Sequence, residues 1–166
     1  MKLSTLKRLP LRWRARAMRL GFNLHPAFRS TGGRVLCIAQ DLSHVRIRLR
    51  LTRRTRNIVG SIYGGSLFAI TDGPHASMLL ARIDRDIIVW DKSAAIRFRR
   101  PAYTTLYADF HITQEDIDEI CRDLDKDHET SRRYTIELKD ADGNVYTVVE
   151  RMVYIADKSY YKVKRG

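Results

Sequence analysis

Four residues in one stretch have the types and spacing to act on an acyl carbonyl. Asn57, the pair Gly64-Gly65 and Asp72 all lie in the segment NIVGSIYGGSLFAITDGPHASMLLAR, residues 57–82. A glycine pair at a helix start leaves the first backbone N–H groups open to a ligand oxygen, because they have no acceptor within the helix. Asp72 is the only charge in the apolar run from Leu67 to Ala81. A carboxylate close to such a donor end is the minimum equipment for acyl transfer: donors for the oxygen that gains charge, and a base or nucleophile for the carbon. The same letters have a structural reading. Asp72-Gly73-Pro74 could be a helix cap followed by a helix start, and the glycines could simply let a helix pack closely.

The elements that must position this stretch are legible from periodicity. Val45, Ile47, Leu49 and Leu51 alternate with Arg46, Arg48 and Arg50, which predicts a strand over 43–52 with one apolar face and one arginine face. That arginine row could bind phosphates, or it could be a solvated outer face. Further strands are expected over 34–40, 87–99, 106–112, 133–139 and 144–155. Thr113, with acids after it and Ile117, Ile120, Cys121 and Leu124 at helical spacing, predicts an acidic amphipathic helix. The run beginning at Leu67 predicts one long helix, almost free of charge and therefore buried on most of its surface. Together these give an α+β fold: an antiparallel sheet of about six strands wrapped around a central helix. Asp140 to Asn144 has the composition of a hairpin turn, and the tail from Asp157 to Gly166 is expected to fray.

The net charge of +12 is unevenly placed. Residues 1–56 hold fifteen Lys/Arg and one acid, Asp41, a net of +14, and the remaining 110 residues carry a net of −2. Lys2, Lys7, Arg8, Arg12, Arg14, Arg16 and Arg19 lie among leucines, and Pro10 followed by Leu11 to Leu20 reads as a short basic helix ending at Gly21. Its apolar residues form no single stripe, so at most a weak contact with an anionic membrane surface is expected. No recognition-helix or aromatic-platform motif accompanies the charge, so no specific nucleic-acid partner is expected. The chain divides into a basic segment with its link over 1–30, one domain over 31–157 and a polar tail over 158–166. No run has the length of a membrane span, and no apolar secretory core follows the first charges. Cys37 and Cys121 are far apart, which makes a reducing, cytoplasmic setting the default. The histidines His25, His44, His75, His111 and His128 have no ligand spacing, so no metal is expected. His75, three residues after Asp72, could face the same pocket or be a packed core residue.

Asn57, Tyr63-Gly64-Gly65, Leu67-Phe68 and Asp72 resemble the matching segment of hotdog-fold acyl-CoA thioesterases of the phenylacetic-acid-degradation type. Joined to Trp90-Asp91-Lys92 and Ile96-Arg97-Phe98 through Pro101, the pattern is similar to a bacterial thioesterase-like hotdog family described only as a domain of unknown function. The resemblance covers roughly residues 30–157. It implies a hotdog fold and cleavage of an acyl-CoA or similar thioester at a site shared across a homodimer or a dimer of dimers. No cofactor is implied beyond the coenzyme A part of the substrate. By the same resemblance Gly65 would offer its N–H to the thioester oxygen, and Asp72 of the other subunit would be nucleophile or base. Asn57 would orient water or the acyl group. Tyr63, Gly64, Ser66 and His75 are candidates for substrate contacts, and Tyr63 stands where that type has histidine. Asp72, inside an apolar helix, would be poorly solvated and more basic than a free carboxylate. Arg97, Arg99 and Arg100 are candidates for the coenzyme A phosphates. Asp91 and Lys92 could form a structural ion pair. A non-hydrolytic protein binding acyl chains or acyl carriers remains the alternative.

Overall fold

Alternation of apolar and polar residues makes the strands, and their apolar faces close on two short helices. The computed structural model describes residues 9–165, so Lys2, Lys7 and Arg8 of the basic segment and the terminal Gly166 lie outside the described residues. In chain order the elements are α1 (Leu11–Leu24), α2 (Pro26–Ser30), β1 (Gly33–Ile38), β2 (His44–Leu49), α3 (Gly64–Ala69), α4 (Pro74–Arg82), β3 (Ile87–Phe98), β4 (Leu106–His111), α5 (Gln114–Asp127), β5 (Glu129–Lys139), β6 (Val145–Asp157) and α6 (Lys158–Arg165). The six strands form one antiparallel sheet in the order β1-β2-β4-β5-β6-β3.

The inner face carries Val45, Ile47 and Leu49 from β2, Leu106, Ala108 and Phe110 from β4, and Val149, Val153 and Ile155 from β6, all buried. These pack around Leu67 of α3 and Ile70 just after it, and around Met78 and Leu79 of α4. Each fully buried side chain of this kind is worth about 1.5–3 kcal/mol, enough in sum to hold two helices that are each too short to be stable alone.

Four expectations are corrected. The central helix is two helices, broken at residues 70–73, because Gly73 adopts φ 91° and Pro74 restarts the helix at its first turn. The basic helix passes through Gly21 to Leu24, and Asn23 there fixes it to the edge of the sheet: its amide donates to Val35 O and accepts from Val35 N, both at 2.9 Å. β5 begins at Glu129, four residues earlier than expected. The tail is helical, held by Tyr161 against Trp90 and by Lys164 on Glu129. The acidic helix α5 follows the sequence closely. Thr113 accepts from Asp116 N and the Asp116 carboxylate accepts from Thr113 N, a reciprocal capping box.

Candidate active site

The chain from Asn57 to Ser61 is a loop organised by one side chain. Asn57 Oδ1 accepts from Val59 N and Ser61 N, both at 3.1 Å, and Nδ2 donates to Ser61 Oγ at 2.9 Å. The Asn57 amide therefore shapes the approach to α3 and has little capacity left for a water or an acyl group. Tyr63 is the N-cap residue of α3, in extended conformation and without a side-chain cap bond. Ser66 N and Leu67 N both donate to Tyr63 O, whereas Gly64 N and Gly65 N find no backbone acceptor among the described residues. Both glycines stand close to an aromatic ring. A Cβ on Gly64 would lie 3.0 Å from Phe98, and one on Gly65 would collide with the ring of Tyr63. Gly65 is exposed and Ser66 is buried.

A cavity of about 380 Å³ opens at this end, lined by Asn57, Gly64, Phe98, Arg99 and Arg100 among others. Two of the three candidate phosphate-binding arginines thus line the same cavity as Gly64. Arg97 lines a second cavity with Val148 and Glu150, which Arg99 also reaches, and the Arg100 guanidinium lies 5.2 Å from the Tyr146 ring centroid.

Asp72 sits at the break between α3 and α4, and its carboxylate is 71% exposed. The expectation of a poorly solvated acid is not met in the single chain, because the helix does not continue through this position. Nor is Asp72 the cap of α4; Gly73 holds that place and no side chain caps it. Asp72 lies instead at the rim of an apolar cavity of about 670 Å³, between α1 and α2 on one side and α3 and α4 on the other, where Phe22, Phe28, Ala69 and Leu80 are exposed to it.

Behind Asp72 stands Arg151 of β6, whose side chain is only 5% exposed. Its Nη1 is 3.6 Å from Asp72 Oδ1 and forms a close ion pair with Asp91. Its Nε donates to Thr71 Oγ1 at 3.0 Å and its Nη2 to Phe68 O at 3.2 Å, so the guanidinium also ties down the last turn of α3. Burial pushes the Asp91 carboxyl above the usual carboxylate range; Arg151 opposes this, and the nearby charge of Asp72 adds to it. The expected Asp91–Lys92 pair is therefore corrected: Asp91 pairs with Arg151, and Lys92 Nζ lies over the Tyr154 ring at 5.9 Å. Arg151 was missed by the sequence reading, although a signal existed. Thr147, Val149, Val153 and Ile155 are the buried parity of β6, and Arg151 shares it.

His75 is a packed core histidine. It is 4% exposed, stacked on Tyr134 with centroids 4.0 Å apart, and in edge contact with Phe110 at 5.2 Å. Burial, with the positive charge of Arg151, holds its pKa down at about 3, and its Nδ1 has no hydrogen-bond partner. It lines none of the cavities described above. Elsewhere, the pairing of β2 with β4 brings His44, Asp109 and His111 together, with candidate ligand atoms within 4.8 Å of one another. His44 Nε2 and Asp109 Oδ1 are 2.7 Å apart, and Arg46 stands 3.8 Å from the same carboxylate, so the acid is already engaged. Among the described residues no helix is long and apolar enough to cross a membrane.

Residues 14–155 match the family model described as Domain of unknown function (DUF4442). Solved structures share the fold at low identity. A Pseudomonas aeruginosa protein of unknown function, described as a "probable thioesterase", is 22% identical over 85% of this chain and 94% of its own, with a TM-score of 0.77. A thioesterase from Haemophilus influenzae is 10% identical over 95% of this chain and 92% of its own, with a TM-score of 0.60. The PaaI protein from the phenylacetic acid degradation operon of E. coli is 16% identical over 92% of this chain and 95% of its own, with a TM-score of 0.58. No curated protein matches the chain significantly. The six-stranded sheet around its helices is the hotdog fold of thioesterase-like proteins.

Proposed function

The chain belongs to the Domain of unknown function (DUF4442) family, a thioesterase-like hotdog family, and from that premise we propose that it hydrolyses a thioester of the acyl-CoA class at a site completed by a second copy of itself. The observation that carries this reading is the pairing of an exposed glycine start on α3 with an exposed, arginine-held carboxylate at its far end. Seven residues separate Gly65 from Asp72, on the order of 10 Å along a helix. One carbonyl group cannot span that distance, since attack and oxyanion bonding each need contacts of about 3 Å. Within one chain Asp72 and Gly64, the neighbour of Gly65, also line different cavities. A second copy supplies the missing half. β3 is an edge strand of twelve residues whose segment from Lys92 to Ala95 is exposed, and such an edge is a template for pairing with another chain.

In this mechanism Gly65 N–H donates to the thioester oxygen and Asp72 of the other copy takes a proton from water. The water oxygen bonds to the acyl carbon, the tetrahedral intermediate collapses, the C–S bond breaks, and the thiolate leaves with a proton. Arg151 is a positioning residue that fixes Asp72 through its charge. Arg99 and Arg100 are the nearest cations for the coenzyme A phosphates. The test is hydrolysis of a panel of acyl-CoAs by the purified chain. Asp72→Asn is expected to lower kcat by about 10²-fold or more, the usual contribution of a general base; unchanged turnover in that variant rejects the mechanism. The apolar cavity beside Asp72 favours a second reading, an acyl-binding protein without turnover. Native mass spectrometry showing a retained fatty ligand, with no hydrolysis of any thioester, selects it.

A further inference from the structure

α1 is a partition. One of its faces, with Met18 and Phe22, lines the apolar cavity beside Asp72; the other looks into a cleft of about 980 Å³ over the outer face of β1 and β2. Six arginines line that cleft: Arg16, Arg19, Arg29, Arg34, Arg48 and Arg50. No acidic residue lines it, and none of the six makes an ion pair with a described residue. We infer that this cleft binds a nucleotide carrying two or more phosphates.

Two features set it apart from a solvated basic surface. Arg34 and Arg48 are direct cross-strand partners, an arrangement that repels unless an anion lies between the guanidiniums. Arg48 is half-buried, and its Nε–H is shielded from water without an acceptor, the state of a donor awaiting a partner. Arg46, the next outward-facing arginine on β2, shows the contrast. It lies outside the cleft, over the Tyr107 ring at 5.0 Å and 3.8 Å from Asp109. Arg16 of the cleft also rests over a ring, that of Trp13 at 5.0 Å, so the difference is the carboxylate: Arg46 has one within 4 Å and none of the six cleft arginines has one among the described residues.

The shape selects among anions. Arg48 is half-buried in the cleft that α1 shares with β1 and β2, a recess that suits a compact phosphate chain better than a flat bilayer. Leu20 and Leu24 of α1, 60% and 59% exposed, line the same cleft and offer apolar surface to a nucleobase. Asn23 is also there, but its amide is spent on Val35. The volume suits a single nucleotide. Its source can be a free nucleotide or the nucleotide end of coenzyme A, and both present the same chemistry.

Titration calorimetry on the full chain at low ionic strength tests this, with ATP, AMP, adenosine, inorganic tripolyphosphate, coenzyme A, single-stranded RNA and phosphatidylglycerol vesicles as probes. ATP or coenzyme A is expected to bind about tenfold or more tightly than AMP, each lost charge-assisted contact costing at least that factor, and adenosine is expected to give no signal. Because coenzyme A also has the cavity beside Arg99 and Arg100, the source is whichever of ATP and coenzyme A loses more affinity in the cleft variants. The double variant Arg34→Gln/Arg48→Gln is expected to lose at least tenfold in affinity while keeping or raising the thermal midpoint. Arg46→Gln is expected to bind as the parent does. If the double variant does not fold, Arg19→Gln/Arg50→Gln, both exposed, replaces it. Absence of binding overturns the inference, as does binding unchanged in these variants, or tighter binding of RNA or vesicles than of either nucleotide.

Discussion

Replacing Arg151 by Met removes the cation buried behind the candidate carboxylate. Asp91, whose side chain is 18% exposed, would keep its charge and lose its partner, while Asp72, 71% exposed, would remain solvated. The loss therefore falls on Asp91. Breaking a buried pair by removing one member costs about 3–5 kcal/mol. For a chain of this size each kcal/mol moves the thermal midpoint by about 2–4 °C, so a fall of roughly 6–20 °C is expected. Urea unfolding followed by circular dichroism measures the free energy directly. Adding Asp91→Leu should recover most of the loss, because the stranded charge is gone and only the bonds to Thr71 and Phe68 O are missing. The reasoning fails if Arg151→Met costs less than ~1 kcal/mol, or if the double variant is no more stable than the single one.

His75 predicts a pH dependence of stability. Its folded pKa of about 3 lies below the ordinary value of 6.5, so only the unfolded chain takes up a proton as pH falls below about 6.5. Stability should therefore drop by about 2.5 kcal/mol between pH 7 and pH 4.5, and His75→Phe should flatten that slope in urea titrations at the two pH values. Gly65→Ala should leave stability within ~1 kcal/mol, since the exposed Tyr63 ring can swing away, while thioester hydrolysis falls by about 10²-fold or more through the displaced N–H. Gly73→Ala forces a side chain into the left-handed region and should cost roughly 1–2 kcal/mol in the same unfolding assay. Turnover per chain should decline on dilution in step with dissociation seen by analytical ultracentrifugation; activity constant down to a pure monomer would refute the shared site.

Much of the fold could be read because it is local. Period-two alternation in Val45 to Leu49 marked β2 and its inner face, and Thr113 with acids after it marked the start of α5. The glycine pair could also be read as a helix start, and the structure places it there. Asp72 was read as a site carboxylate inside a helix or as a cap; it stands in neither a helix nor a cap position, because the left-handed turn at Gly73 leaves it between α3 and α4, lining a cavity.

The remaining facts depend on which strands become neighbours. Arg151 meets Asp91 because β6 lies against β3, sixty residues away in the chain. His44, Asp109 and His111 meet through the β2–β4 register. Arg34 faces Arg48 only because β1 and β2 pair in that register, and α1 is held beside them by Asn23 on Val35 and by Ala15 and Met18 packed with Leu42 and Ala81. Periodicity in the chain specifies which face of each element is apolar, since that follows from neighbouring residues and backbone geometry alone. Tertiary packing decides which charges are stripped of water and which partners they find, since burial and cross-strand register are properties of contacts distant in sequence.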